Sequence, residues 1–364
     1  MGRLICFLLV LSIVLSTAGT DTTIPASSTY VSGPYVSSHP HTTSSPPIRC
    51  SDKVYVGSPY GGLAISTNGG KTWARRDPIP DSRVYSIFAL KDTVYVGTAS
   101  GLAVSTNGGY TWKFRDLSPG SQAHAVTAIY AVDDTVLATV QCGTPPYSNC
   151  AQFSQSNDRG GTWPVKVQLP PSLGYSPTSV FRNGNRTFIG VNMLGASSAG
   201  GIAISDDYGI TWTVVDQGRW AGSNLINAIA GDGRYVYVGY DRDGGTVGIS
   251  EDNGYSWGIL TTVPLGHSVG AKSISASGGH VYVGTGGGGL AISKDIWNEW
   301  AVKTTGDGLI DNNVSAVAAV GRNVYVGTPV GLSISNNGGS SWYNITVHDG
   351  LPSSEVTAVF AHCV

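Results

Sequence analysis

The sequence predicts an all-β protein, a single seven-bladed β-propeller of four-stranded antiparallel blades. Three observations carry that prediction. An octapeptide, Ser-x-Asp/Asn-x-Gly-x-Thr/Ser-Trp, stands at Ser66, Ser105, Ser156, Ser205, Ser250 and Ser335, with a worn copy at Ser293. Each copy follows an alternating apolar lead-in such as Val54-Tyr55-Val56-Gly57 and then Gly62-Leu63-Ala64-Ile65-Ser66. The two chain ends carry complementary fragments of one repeat. Steps of 39, 51, 49, 45, 43 and 42 residues mean one supersecondary unit copied along the chain.

The residue types explain the turn. Asn68 and its equivalents accept hydrogen bonds from the following backbone N–H groups, which holds a tight turn. Gly70, Gly109, Gly160, Gly209, Gly254 and Gly339 suit a backbone with positive φ. The hydroxyl of Thr72 or Ser256 satisfies a further turn group, and the Trp opens the returning strand with a large apolar ring. A ligand or Ca²⁺ loop would use similar residues, but a binding site is seldom needed in every unit, so the repetition favours a folding device.

The pattern resembles the Asp-box, or BNR, repeat, over residues 50 to 364. The resemblance implies that the octapeptide lies between the third and fourth strands of each blade, on the face away from the usual active site. The copy at Ser293 departs from the pattern, with Trp297 where Gly is expected and Glu299 in place of Thr, and a reshaped turn is expected there.

In chain order, Met1 to Gly19 reads as a signal peptide: Arg3, an apolar core from Leu4 to Leu15, then small residues. That core is too short to span a membrane as a helix. Residues 20–49 are rich in Ser, Thr and Pro, the composition of an extracellular linker or stalk. Residues 50–364 form the propeller. First strands are expected at Val84 to Leu90, Val126 to Val132, Pro177 to Arg182, Ile226 to Ala230, Lys272 to Ala276, Val314 to Val320 and Val356 to Ala361. The first unit begins at its second strand, Lys53 to Gly57, and the last first strand has no unit of its own. Joining the ends completes the first blade and closes the ring.

Charged residues are 12% of the chain, about half the usual share of ~25%, and Gly numbers 50, which suits a turn-rich β protein and argues against disorder. A formal charge of −2 without a basic block argues against nucleic acid as a partner. Four cysteines remain once Cys6 leaves with the signal. Of their three connectivities, Cys50–Cys363 across the seam and Cys142–Cys150 across a loop base are chosen. Metal binding is set aside, since no CxxC or His cluster occurs. Asn185, Asn313 and Asn344 head N-glycosylation sequons.

Candidate ligand groups are sought on the loops from second to third strand and from fourth strand to the next blade. Tyr60, Arg76, Tyr147, Trp220, Tyr240 and Arg242 are the candidates for binding a sugar or peptide. For glycoside hydrolysis, which needs two carboxylates across the bond, they are Asp241 and Asp243 with Asp77 and Asp81. The resemblance to sialidases lacks its catalytic half: no Arg-Ile-Pro occurs, and Arg182 is the only arginine on a first strand. Xyloglucan-cleaving relatives use such propellers in pairs, and this chain holds one. No GxSxG elbow, phosphate loop or dinucleotide fingerprint is present, so no cofactor is implied.

The expected function is a secreted, non-catalytic module for binding or assembly with a glycan or an extracellular protein, with self-association into a surface layer or fibre as a structural variant. The alternative is a glycoside hydrolase acting on an extracellular polysaccharide. A third reading rests on likeness to single-ring Asp-box proteins that help build membrane complexes.

Overall fold

The computed structural model describes residues 53–76, 79, 81–118, 124–142, 150–170, 176–192, 200–215, 225–240, 247–260, 263, 270–295 and 299–362. They form seven four-stranded antiparallel sheets arranged as a β-propeller. Blade 2 is typical: its strands, from the inside out, are Val84–Leu90, Thr93–Thr98, Gly101–Ser105 and Lys113–Arg115. Short β-branched and aromatic runs bounded by Gly and Asn make these strands. The only helical turns among the described residues are two 3-10 segments, Thr305–Asp307 and Val347–Asp349.

Blade 1 is closed as the chain ends predict. The C-terminal strand Ala358–Ala361 is its innermost strand and pairs antiparallel with Val54–Ser58, placing Val54 opposite Ala361 and Gly57 opposite Ala358. Each innermost strand touches the next around the ring, and the C-terminal strand touches those of blades 7 and 2.

The core lies between blades. Most second and third strands are buried along nearly their whole length, as in Val54–Ser58 and Gly62–Ser66, because each sheet is covered on both faces by its neighbours. Tyr55, Tyr95, Tyr130, Tyr237, Tyr282, Phe153, Phe181 and Phe188 are among the largest fully buried side chains. At about 2 kcal/mol for each fully buried aliphatic side chain, this repeated apolar interleaving dominates stability.

The Gly ending each Val-Tyr-Val-Gly run has a steric cause. A Cβ on Gly57 would stand 2.4 Å from Cγ1 of Val84, and one on Gly97 would stand 2.4 Å from the carbonyl of Val126. Here the innermost strand of the next blade crosses closest. Blade 3 carries Thr139 at this position instead, and its hydroxyl bonds that of Thr127 at 3.0 Å.

The octapeptide clasps one blade to the preceding one. Ser66 Oγ donates to Asn68 Oδ1 at 3.0 Å and accepts from the Gly70 amide at 2.8 Å, while Asn68 Oδ1 also accepts from the Thr72 amide at 2.9 Å. Asp and Asn interchange because the hydroxyl can reverse. Thr72 accepts from Asn68 Nδ2 at 2.8 Å, whereas Thr162 donates to Asp158 Oδ2 at 2.7 Å. The turn then lays its glycine on the neighbour: a Cβ on Gly109 would meet Ile65 at 2.4 Å, and one on Gly209 would meet Phe153 at 2.1 Å. The Trp rings are half-buried, with Trp73 Nε1 donating to the Gly70 carbonyl at 3.0 Å.

The worn copy is reshaped as expected. Ser293 Oγ accepts from the Val281 amide at 2.7 Å, and the strand runs on to Asp295, which pairs with Glu299 across a register shift.

Candidate functional site

Antiparallel order puts two kinds of connection at each end of a blade. The octapeptide shares one end with the turn from first to second strand: the amides of Gly108 and Gly338 donate to the carbonyls of Asp92 and Arg322. The other end carries the candidate loops, where the Ala99 amide donates to the Arg83 carbonyl at 3.1 Å.

At that loop end the innermost strands bulge. Register shifts fall at Val84/Ser86, Val126/Ala128, Pro177/Ser179, Ile226/Ala228 and Ala271/Ser273. A bulge leaves one residue outside the ladder and re-aims its side chain. The residues so placed are Tyr85, Thr127, Thr178, Asn227 and Lys272, and the corresponding residues of blades 7 and 1 are Ser315 and Thr357. Several stitch one blade to the next: Thr357 Oγ1 donates to the Val84 carbonyl, Thr178 Oγ1 to the Ile226 carbonyl and Asn227 Nδ2 to the Ala271 carbonyl. No carboxylate occupies any of these seven positions.

The loop residues singled out from the sequence have varied fates. Tyr60 is 77% exposed on the turn between Val54–Ser58 and Gly62–Ser66, with its amide held by Ser58 Oγ. Arg76 is spent on the fold, its guanidinium 4.7 Å above the ring of Tyr110 in the next octapeptide. Tyr240 is a correction. It ends the strand Val236–Tyr240 and is 3% exposed, packed against Gly248, so it is a core residue and not a surface ligand group. Its position after a Val-Tyr-Val-Gly run made it look like a loop residue, but the strand continues one residue further.

Asp81 is held in place by its own loop. It accepts from the Arg83 amide at 2.8 Å, from the Arg83 guanidinium at 2.9 Å and from Ser100 Oγ at 2.5 Å. Partial burial pushes its carboxyl up, but the bonds from Arg83 and Ser100 outweigh this and leave it below the usual range. A general acid in glycoside hydrolysis needs the opposite shift.

Asp77, Tyr147, Trp220, Asp241, Arg242 and Asp243 lie outside the described residues, as do Cys50, Cys363, the signal segment and the linker. Cys142 and Cys150 stand directly opposite each other in the backbone register, though their side chains are outside the described set. Asn185, Asn313 and Asn344 are exposed. Asn344 also bonds Ser333 and the Gly308 carbonyl. Arg182 is buried, bonded to Thr187 Oγ1 and Gln155 Oε1 at 2.8 Å each, so it joins blades 3 and 4.

Sequence reasoning missed a second repeat at the loop end, Thr-x-x-Asp-Gly-Leu at Thr304 and Thr346. Asp307 and Asp349 each accept from the amide and hydroxyl of that Thr, making capping boxes, and Leu309 and Leu351 are each 3% exposed beneath them. The sequence signal was present, but it is confined to two blades.

Among the described residues, no group of His, Cys, Asp and Glu could hold a metal ion, and no helix is long and apolar enough to cross a membrane. The fold and its open loop end define the chain as a β-propeller. No protein family profile and no curated protein matches it. Solved structures do. A YCF48 bound to D1 peptide is similar over 74% of this chain and 83% of its own, at 18% identity and a TM-score of 0.53. PorZ, a surface component of the type-IX secretion system of Porphyromonas gingivalis, is similar over 82% of this chain and 50% of its own, at 15% identity and 0.55. An ancestral GH74 enzyme is similar over 82% and 53%, at 16% identity and 0.54. The chain spans about half the length of the last two. At these identities the likeness is one of fold.

Proposed function

We propose that the chain is a secreted, single-ring Asp-box propeller that serves as a non-catalytic extracellular binding or assembly module for a glycan or protein. The observation that carries this reading is that the five bulge positions and their two counterparts, which stand on the innermost strands at the loop end, hold no carboxylate. Nearby carboxylates are engaged: Asp81 by Arg83 and Ser100, Asp307 and Asp349 in capping boxes. The similar solved structures fit this role, since one holds a peptide and another is a surface component of a secretion system.

The GH74 likeness gives the hydrolase alternative its footing, with Asp241, Asp243 and Asp77 as its carboxylates. One experiment separates the two. The purified chain is applied to a glycan array and used for pull-down from extracellular material, and reducing-sugar release is assayed on the polysaccharides it binds. Binding without release, unchanged in Asp241→Asn and Asp243→Asn, is the expected result. Release that those substitutions abolish would replace this reading with hydrolysis.

A further inference from the structure

The worn octapeptide has opened a basic groove at the opposite end of the ring. The third strand of blade 6 runs on to Asp295 with a register shift at Lys294, and Lys294 lines one groove with Ile292, with Ala301 and Lys303 of the fourth strand, and with His280 and Tyr282 of the second. Across the seam stand Gly321 and Arg322 of the first turn of blade 7, and Asn337 to Ser340 of its octapeptide. Together they enclose about 340 Å³ with an apolar floor of Tyr282, Ile292 and Ala301. Lys294 and Arg322 are exposed and make no ion pair among the described residues, and Lys303 reaches Asp307 only at 3.8 Å.

The seam between blades 1 and 2 shows what normally fills this space. There Lys53, the counterpart of His280, pairs with Asp92 at 2.9 Å, and Arg76, the counterpart of Lys303, lies under the ring of Tyr110. In blade 7 the counterpart of Asp92 is Arg322 and the counterpart of Tyr110 is Ser340. Both the counter-charge and the aromatic cover are replaced. In the seam between blades 4 and 5, Arg186, the counterpart of Lys53, pairs with Asp206 of its own blade at 2.9 Å and is stacked 3.7 Å from Tyr255, the counterpart of Tyr110.

We propose that the groove between blades 6 and 7 is an oxyanion-binding site, in which Arg322, Lys294 and Lys303 hold a carboxylate, sulfate or phosphate carried on a body no larger than one sugar ring. The volume suits a single such unit. Arg offers a planar fork for two oxygens, the two Lys are point charges, and the apolar floor takes the face of a ring. The site is at the far end of the ring from the loops discussed above and stands whether or not those loops bind a ligand.

The test titrates the full chain with sodium glucuronate, with inorganic sulfate and with glucose, at constant ionic strength, following amide resonances of Gly338 to Ser340 and thermal stability. Saturable shifts with glucuronate or sulfate, none with glucose, and binding at least about tenfold weaker in Arg322→Glu and in Lys294→Glu are expected. Tighter binding of glucuronate than of sulfate assigns the site to an acidic sugar. Equal binding assigns it to a free oxyanion. Absence of saturable shifts with either anion, or binding unchanged in both variants, would overturn the proposal. Lys294→Glu lies at an exposed position and keeps the test open if Arg322→Glu misfolds.

Discussion

Tyr55 and Phe360 stand directly opposite each other across the seam, one near the start of the propeller and one near the end of the chain, with ring centroids 6.5 Å apart. Phe360 also packs at 4.7 Å against Phe88, which contacts Tyr130, which contacts Phe181. This aromatic chain ties the C-terminal strand to blades 2, 3 and 4. Phe360→Ala therefore removes a ring shared by two seams. Since Phe360 is only partly buried, the expected loss is about 2–3 kcal/mol, below the usual range for a fully buried Phe. Urea unfolding measures it, and Phe360→Leu should cost less.

The octapeptide chemistry predicts an asymmetry between two substitutions of one residue. Asp158→Asn keeps both bonds, because Thr162 can accept from an amide as Thr72 does from Asn68. Its melting temperature should match the parent near neutral pH. Asp158→Ala loses the acceptor for the Thr162 amide and should melt lower. The Thr162 amide, followed by the hydroxyls of Ser156 and Thr162, holds the Asp158 carboxyl down to about 2. A depressed carboxyl contributes stability above its unfolded value of 3.8 that is lost as pH falls toward 2, so Asp158→Asn should also lose less stability than the parent across that window.

His362 gives the seam its own acid sensitivity. Burial, with Lys53 nearby, lowers its pKa from 6.5 to about 4. It stacks 6.4 Å from Tyr55. The unfolded chain takes up the proton first as pH falls, so the stability present above 6.5 declines between 6.5 and 4 and then levels off. The cumulative loss is a few kcal/mol. Chemical unfolding as a function of pH checks this, and His362→Leu should show a flatter profile over the same interval.

Close approach at the Val-Tyr-Val-Gly glycines predicts intolerance of a single methyl. A Cβ at Gly97 would fall 2.3 Å from Ser86 Oγ and 2.4 Å from the Val126 carbonyl. Gly97→Ala must move blade 3 or the bulge at Ser86, at a cost of about 1–3 kcal/mol. Equilibrium unfolding in guanidinium reads the difference.

The ring was legible in the sequence because each blade repeats its own turn chemistry: the Ser, Asp or Asn, Gly and Trp positions fix the outer hairpin, and the split first unit dictates closure. Side-chain fate was less legible. Tyr240 follows the same run as Ser58 and Thr98 and, like them, is the buried last residue of its strand, but the small polar residues at the other two positions did not mark the site as interior. Arg76 looked available until the fold laid Tyr110 of the next blade against it. The oxyanion groove could not be read at all, since it depends on a strand extension that brings Lys294 into the same groove as Lys303 and on a comparison of equivalent seams. A worn motif shows that a turn differs, but not which face the new residues line.

The claim on which everything above depends is that the C-terminal strand completes blade 1. Hydrogen exchange of Val54–Ser58 in the full chain and in one ending at Glu355 tests it most directly. In the full chain these amides should be among the most protected, and in the truncated one they should exchange freely, with a lower melting temperature. Equal protection and equal melting in both chains would contradict the closed ring.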